Sequence, residues 1–139
     1  MLGKIIFLFA VGFLHDSFAE PIEHSIQTVD MESLISSPEL YSGKRVKFVG
    51  WITMRPENVN MWVSKTDLDS YNREKCISLR NRFKDPEMRR KVDGKKVEIE
   101  GTFTHDARYD SSGNPYLRLA ACGKLGLDFD TETLRVVEE

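Results

Sequence analysis

Two closely similar segments of the chain place the strongest constraint on its fold. Residues 43–52 and residues 94–103 both read Gly-Lys-basic-Val-x-apolar-x-Gly-x-apolar. A turn glycine opens each segment, apolar and polar residues then alternate, and a second glycine stands where a strand must bend. Two matched, bent strands predict a small and strongly curved sheet. Closing such a sheet into a barrel removes the exposed edges that favour aggregation, so we expect a small β-barrel.

Residues 1–19 have the pattern of a cleavable export signal. Lys4 precedes an apolar run over residues 5–14, and the segment ends in Ser17-Phe18-Ala19, with small residues where a signal peptidase reads them. A membrane anchor is the alternative, but a span needs roughly twenty apolar residues. We therefore expect cleavage after Ala19, a periplasmic or secreted product, and no membrane span in the mature chain.

The remaining residues, 20–139, are enough for a single domain with one modest core. The whole sequence has 20 basic and 22 acidic residues, a formal net charge of −2. Removing residues 1–19 takes away Lys4 and Asp16, one charge of each sign, so the net charge is unchanged. A global electrostatic attraction to nucleic acid or anionic lipid is therefore not expected.

The order of the predicted elements specifies the kind of barrel. Thr28 or Asp30 can cap a short helix, and Asp85 followed by Pro86 marks the start of another. Turn residues separate five segments that we predict as strands, at positions 44–54, 59–64, 76–80, 95–104 and 116–122. A helix between the third and fourth strands is the arrangement of the oligonucleotide/oligosaccharide-binding (OB) fold. The predicted fold is mainly β: a five-stranded OB-fold barrel with an N-terminal helix and a short helix between strands 3 and 4.

The inward-facing positions of these strands predict one apolar core. Its members are Val46, Phe48, Ile52, Met61, Val63, Ile77, Leu79, Val97, Ile99, Phe103, Leu117 and Leu119. The apolar residues between positions 125 and 136 are predicted to return across the barrel as a last strand.

Several of these segments also resemble a known group of proteins. Residues 38–51, 62–64 and 93–103 are similar to bacterial exported OB-fold proteins related to anticodon-binding-like domains. The resemblance covers most of residues 30–122 and its motifs are structural. It implies the fold and an exported location, and no catalytic residues carry across from it.

The two cysteines, Cys76 and Cys122, leave their redox state open. Export to an oxidising compartment favours a disulfide. Cys76, however, is predicted to begin strand three and Cys122 to end strand five, and parallel strands would then place them near opposite ends. A disulfide requires Cα atoms within about 7 Å. A bridge and two buried thiols both stay possible.

An OB barrel usually binds ligands on the face of strands two and three and between its first-second and fourth-fifth loops, with aromatic stacking platforms and basic groups. The candidate ligand-binding residues in that region are Trp62, Tyr71, Arg80, Arg82, Arg55, Arg108 and Tyr109. Alternation along strand two turns Trp62 away from the core. The alternative is that Trp62 packs beneath the loop 65–74 and that the arginines are solvated.

Basic residues are concentrated in one part of the chain. Residues 73–96 contain ten Lys or Arg against four acids, with Arg89, Arg90 and Lys91 on the predicted short helix. Such an excess is typical of a phosphate-binding face, of a contact between copies of the chain, or of a solvated helix.

Other chemistries find less support in the sequence. His105 and Tyr109 resemble the His-x-x-x-Tyr segment of exported OB-fold haem chaperones, but here the segment lies between strands four and five. Neither the oxygen-bearing side chains of residues 106–114 nor the histidines and cysteines have a metal-ligand spacing. No nucleophile motif is present. We therefore predict no catalysis and no cofactor.

The predicted function is that of an exported, non-catalytic OB-fold binding or assembly module that recognises an envelope protein or peptide. Weak binding of single-stranded nucleic acid or oligosaccharide through the strand 2–3 face is the alternative, and haem or metal carriage is a third. The sequence specifies neither the partner nor the oligomeric state.

Overall fold

The two repeated segments form the two longest strands of the structure. The structure is a computed structural model that describes Gly12 and residues 25–106 and 122–137. Its elements, in chain order, are β1 (Gln27–Thr28), α1 (Met31–Ser36), a 3-10 turn (Pro38–Leu40), β2 (Arg45–Arg55), β3 (Asn58–Trp62), α2 (Lys65–Ser70), β4 (Cys76–Leu79), α3 (Pro86–Val92), β5 (Lys96–Thr104), β6 (Gly126–Phe129) and β7 (Arg135–Val136). None of the helices in the described residues is long and apolar enough to cross a membrane. The predicted export signal, Gly12 apart, lies outside the described residues.

Five strands close into a barrel in the order β2-β3-β4-β6-β5, and β2 completes the circuit by pairing with both β3 and β5. The pairs are antiparallel except β4 with β6, which run parallel. Helix α3 connects the third and fourth barrel strands. The predicted five-stranded OB-fold barrel, with its N-terminal helix and its helix between strands 3 and 4, is therefore confirmed. The short strands β1 and β7 add to the edges of β2 and β5.

The fifth barrel strand lies later in the chain than the sequence pattern predicts. Among the described residues, β6 is the strand that pairs with both β4 and β5. Residues 107–121 lie outside the described residues, and Cys122 lies in a turn before β6. The predicted strand at 116–122 and β6 are both apolar, so the local pattern does not show which of them forms the fifth barrel strand. In the structure, β6 packs closely against Gly101 of β5 and takes that place. The prediction that residues 125–136 return across the barrel is confirmed for β6.

The strand interiors form one apolar core. Nine of the predicted core residues are at most 4% exposed: Val46, Phe48, Ile52, Met61, Ile77, Leu79, Val97, Ile99 and Phe103. Val63 is partly buried against them, and Leu117 and Leu119 lie outside the described residues. Met31 and Leu34 of α1 and Val92 of α3 join the same cluster. The two helices are thus held to the barrel by apolar contacts.

Helix α1 begins at the predicted cap. The Asp30 carboxylate accepts hydrogen bonds from the backbone N–H of Ser33 at 2.9 Å and from its hydroxyl at 2.7 Å. These bonds, the hydroxyl first, hold the pKa of Asp30 below its ordinary value. A carboxylate whose pKa is lowered by folding stabilises the fold above its unfolded pKa. The contribution of this cap is therefore present at neutral pH and lost as the pH falls through the folded pKa.

Gly101 allows β6 to approach β5 closely. A Cβ atom at this position would lie 2.7 Å from the Cα of Phe129 and closer still to the backbone oxygen of Asp128. Backbone atoms of a paired strand cannot rotate away, so Gly101→Ala is expected to lower the free energy of unfolding by about 1–3 kcal/mol. Urea denaturation measures the change. The neighbouring, half-exposed Thr102→Ala is the control, and equal losses in the two variants would show that the strand pairing is different.

Candidate functional site

The outer face of β3 and β4, where an OB barrel usually binds its ligand, is buried in this protein. Trp62 is 0% exposed, Asn60 2% and Cys76 1%, although strand alternation directs all three away from the barrel interior. Ser78 on the same face is also buried. At these four described positions the face therefore presents no open surface for a ligand.

Trp62 is enclosed by the segment that follows β3. Ser64 caps α2 by accepting a hydrogen bond from the Asp67 backbone, and the helix ends at Tyr71 in the left-handed conformation. The Tyr71 ring lies 5.3 Å from the Trp62 ring, and the Trp62 Nε1 donates to Thr53 Oγ1 at 2.9 Å. Trp62 does face away from the main core, as predicted, but it packs beneath the loop 65–74. Of the two aromatics only Tyr71 is exposed.

Cys76 and Cys122 form a disulfide with a Cα–Cα distance of 5.3 Å. The strand argument against this bond is wrong because Cys122 does not end the fifth barrel strand. β4 and β6 run parallel with Ser78 opposite Gly126; Cys76 begins β4 and Cys122 precedes β6, so the two cysteines lie at the same end of the pair. The bond links the turn just before β6, the last barrel strand, to the buried outer face of β3 and β4.

Arg80 also belongs to this covered region. Its side chain is 4% exposed, its Nη1 lies 3.6 Å from the carboxylate of Asp128, and its Nη2 donates to the backbone oxygen of Asp106. These contacts hold the Arg80 side chain in a buried position. The other predicted residues on this side, Arg108 and Tyr109, lie outside the described residues. His105 is exposed, and the haem alternative gains no support from its position.

Arg55 and Arg82 lie elsewhere, and the structure brings them together. They line a surface cleft of about 230 Å³ with Arg89 and Arg90 of α3. The apolar lining comes from the β2–β3 hairpin and from the start of α3, and consists of Met54, Pro56, Val59 and Pro86. We call this the arginine cleft. Sequence reasoning missed Arg89 and Arg90 as site residues; the only signal was the basic excess of residues 73–96.

Asp93 joins the two walls of the arginine cleft. It caps the end of α3, and its Oδ1 accepts a hydrogen bond from the backbone N–H of Met54 at 3.0 Å. Arg55 Nε donates to Asp93 Oδ2 at 3.0 Å. The next residue, Gly94, donates its N–H to the backbone oxygen of Ile52 at 2.8 Å. The distance between α3 and the end of β2 is therefore set before any ligand binds.

Three of the four arginines in the arginine cleft have no ion-pair partner among the described residues. Within residues 25–106 and 122–137, Arg55 pairs with Asp93, whereas no carboxylate forms an ion pair with Arg82, Arg89 or Arg90. Four acids on or after β5 and β6 pair with cations outside the cleft: Glu98 and Glu100 contact Lys47, Glu98 also contacts Arg135, Asp128 contacts Arg80, and Asp130 contacts Arg45. An anion that neutralises this cleft is thus not supplied by these acids.

A larger groove, of about 650 Å³, lies between α1 and the first half of β2. Its lysine, Lys47, already lies 3.7 Å from Glu98 and 3.5 Å from Glu100. The arginine cleft is therefore the better candidate for binding a charged ligand.

Fold and site together define the protein as an OB-type barrel with a cationic cleft between its first hairpin and the helix that follows its third strand. Comparison with protein-family models, with curated proteins and with solved structures finds no match for this chain. In the part of the chain that the structure describes, no three or more His, Cys, Asp or Glu side chains are grouped as metal ligands.

Proposed function

We propose that this protein is an exported, non-catalytic OB-fold binding or assembly module that recognises another protein or a peptide of the cell envelope. One feature supports this function most: the arginine cleft presents three cations without an ion-pair partner among the described residues, beside an apolar lining. Guanidinium groups bind carboxylates in a bidentate geometry and stack on flat groups, which makes arginine common in protein interfaces.

The size of the cleft agrees with a protein ligand. Its volume of about 230 Å³ is below the roughly 300–1,000 Å³ of typical small-molecule pockets. A cleft of this size accommodates one or two side chains of a larger partner. Asp93 already links the end of α3 to β2 by hydrogen bonds to Met54 and Arg55. Little conformational entropy of the cleft is therefore lost when the partner binds.

Single-stranded nucleic acid is the second candidate, and the positive charge of the cleft is the feature that favours it. Proteins of that class also use aromatic side chains on which the bases stack. The described residues that line the arginine cleft include no aromatic ring, and Trp62 is fully buried. These observations favour a protein ligand over a nucleic acid.

The Cys76–Cys122 disulfide supports the exported location. Such bonds persist in oxidising compartments and are rare in the cytosol. Purified from an exporting host, the protein is expected to have the intact mass of residues 20–139 less two hydrogens. A mass that includes residues 1–19 would contradict cleavage after Ala19.

Reversing two charges of the arginine cleft tests the proposed function. The double variant Arg89→Glu/Arg90→Glu should lower recovery of the bound partner from an envelope fraction by about tenfold, which corresponds to about 1.4 kcal/mol of binding free energy. Quantitative mass spectrometry of the captured proteins measures the ratio to wild type. Thermal unfolding of the variant confirms that it is folded.

A matched control reverses two exposed cations outside the cleft, in the variant Lys44→Glu/Lys65→Glu. This control changes the net charge by the same amount and is expected to retain the partner. Equal recovery by wild type and by the cleft variant would contradict the proposal, as would equal losses in both variants.

A further inference from the structure

We infer that the arginine cleft binds a short acidic peptide segment in which one apolar side chain is flanked by carboxylates. This inference rests on the proposed function and names the ligand of that same site. It follows from the two kinds of surface that the cleft places side by side.

The apolar lining requires more than an anion. Met54 is 5% exposed and Val59 9%, so both belong to the edge of the main core, and Pro56 and Pro86 extend the apolar surface outward. Met54 and Val59 form the buried floor of the cleft, and an inorganic anion would neutralise the arginines but leave the exposed Pro56 and Pro86 in contact with water. An apolar side chain would cover the surface, and burial of apolar area is favourable.

The positions of the arginines determine where the acidic groups belong. Arg55 ends β2, Arg82 lies in the segment between β4 and α3, and Arg89 and Arg90 lie on α3. Cations from three parts of the chain around one apolar patch match acids on both sides of a central apolar residue. The Asp93 carboxylate already engages Arg55 through Nε, which leaves Arg82, Arg89 and Arg90 as the cations available to the ligand.

The same geometry disfavours a nucleic acid strand in this cleft. A backbone with regularly spaced phosphates gains from a row of cations and from rings that stack on its bases. The arginine cleft is a compact cluster with aliphatic and proline side chains between its cations. The formal net charge of the chain is −2, which provides no long-range attraction for a polyanion.

Fluorescence anisotropy with a defined probe tests the inference. The probe is a labelled peptide in which one leucine stands between two pairs of aspartates. We expect saturable binding that weakens as salt is added and that weakens at least tenfold in Arg89→Glu/Arg90→Glu. The Lys44→Glu/Lys65→Glu variant should bind the peptide as wild type does.

Three further probes separate the possible ligands. A peptide with serine in place of the leucine should bind several-fold more weakly, because it lacks the apolar contact. A peptide with asparagines in place of the aspartates should not bind. An oligothymidylate with the same number of charges should bind more weakly than the acidic peptide.

Any of three results would overturn the inference. Equal binding of the leucine and serine peptides would show that the cleft selects charge alone, and tighter binding of the oligothymidylate would assign it to nucleic acid. If no peptide binds while the envelope partner is still lost in Arg89→Glu/Arg90→Glu, the ligand class is wrong and the proposed function stands. If the partner is also retained by that variant, both are wrong.

Discussion

Replacing Phe48 by alanine is expected to lower the free energy of unfolding by about 3–5 kcal/mol. The Phe48 side chain is 1% exposed, and its residue lies opposite the fully buried Ile99 in the β2–β5 pair. This pair joins the two repeated segments, so the substitution leaves a cavity at the contact on which closure of the barrel depends. Chemical denaturation followed by circular dichroism measures the loss. Ile99→Ala is expected to lose about 2–5 kcal/mol for the same reason.

The adjacent residue provides the control for this prediction. Val49 follows Phe48 on β2, points to the opposite face of the strand and is 39% exposed. Val49→Ala is expected to change the free energy of unfolding by no more than about 0.5 kcal/mol. A similarly small loss for Phe48→Ala would show that the inward and outward faces of β2 are exchanged, since a shift of one residue inverts a strand.

Removing the disulfide is expected to have an effect of similar size. Cys76 and Cys122 are separated by 46 positions in the chain. Cross-linking residues this far apart restricts the unfolded chain, and the loop-entropy relation gives a stabilisation of about 4 kcal/mol. The double variant Cys76→Ala/Cys122→Ala should therefore unfold at much lower denaturant concentration. Replacing both residues avoids leaving a reactive free thiol.

Reduction of the unchanged protein is the matched control for the disulfide. Wild-type protein unfolded and refolded with excess dithiol should approach the stability of Cys76→Ala/Cys122→Ala. A difference of less than about 1 kcal/mol between the oxidised and reduced forms would contradict the expected contribution. The reduced form should also respond more strongly to added quencher of tryptophan fluorescence, because Trp62 packs in the same buried cluster as the two cysteines.

The covered outer face explains why the arginine cleft is the better site. In this barrel, α2 and Cys122 contribute to the cluster that buries Trp62, and the Cys122 N–H donates to Ser78 on the same face. The strand face that many OB barrels use for ligands is thereby buried at Asn60, Trp62, Cys76 and Ser78. The cleft at the β2–β3 turn remains open, and its arginines come from strand, loop and helix.

Local sequence pattern was sufficient wherever a feature depends on near neighbours. Alternation through Phe48 and Ile99 identified the inward faces of the long strands because side chains alternate with a period of two along a strand. Asp30 and Asp85 marked helix starts because a capping side chain reaches a backbone N–H only two or three residues ahead. The chain order of these elements was then enough to predict the OB-type barrel.

Pairing between distant segments decided the features that this pattern could not supply. The position of β6 beside Gly101, the disulfide to Cys122 and the burial of Trp62 all depend on which remote segment packs on which face. The arginine cleft likewise gathers Arg55 and Arg82 with two residues of α3 that are separated from Arg55 in sequence. Residues far apart along the chain become neighbours only when the barrel closes. A short window of sequence does not contain the remote residues, so it cannot show which of them will be in contact.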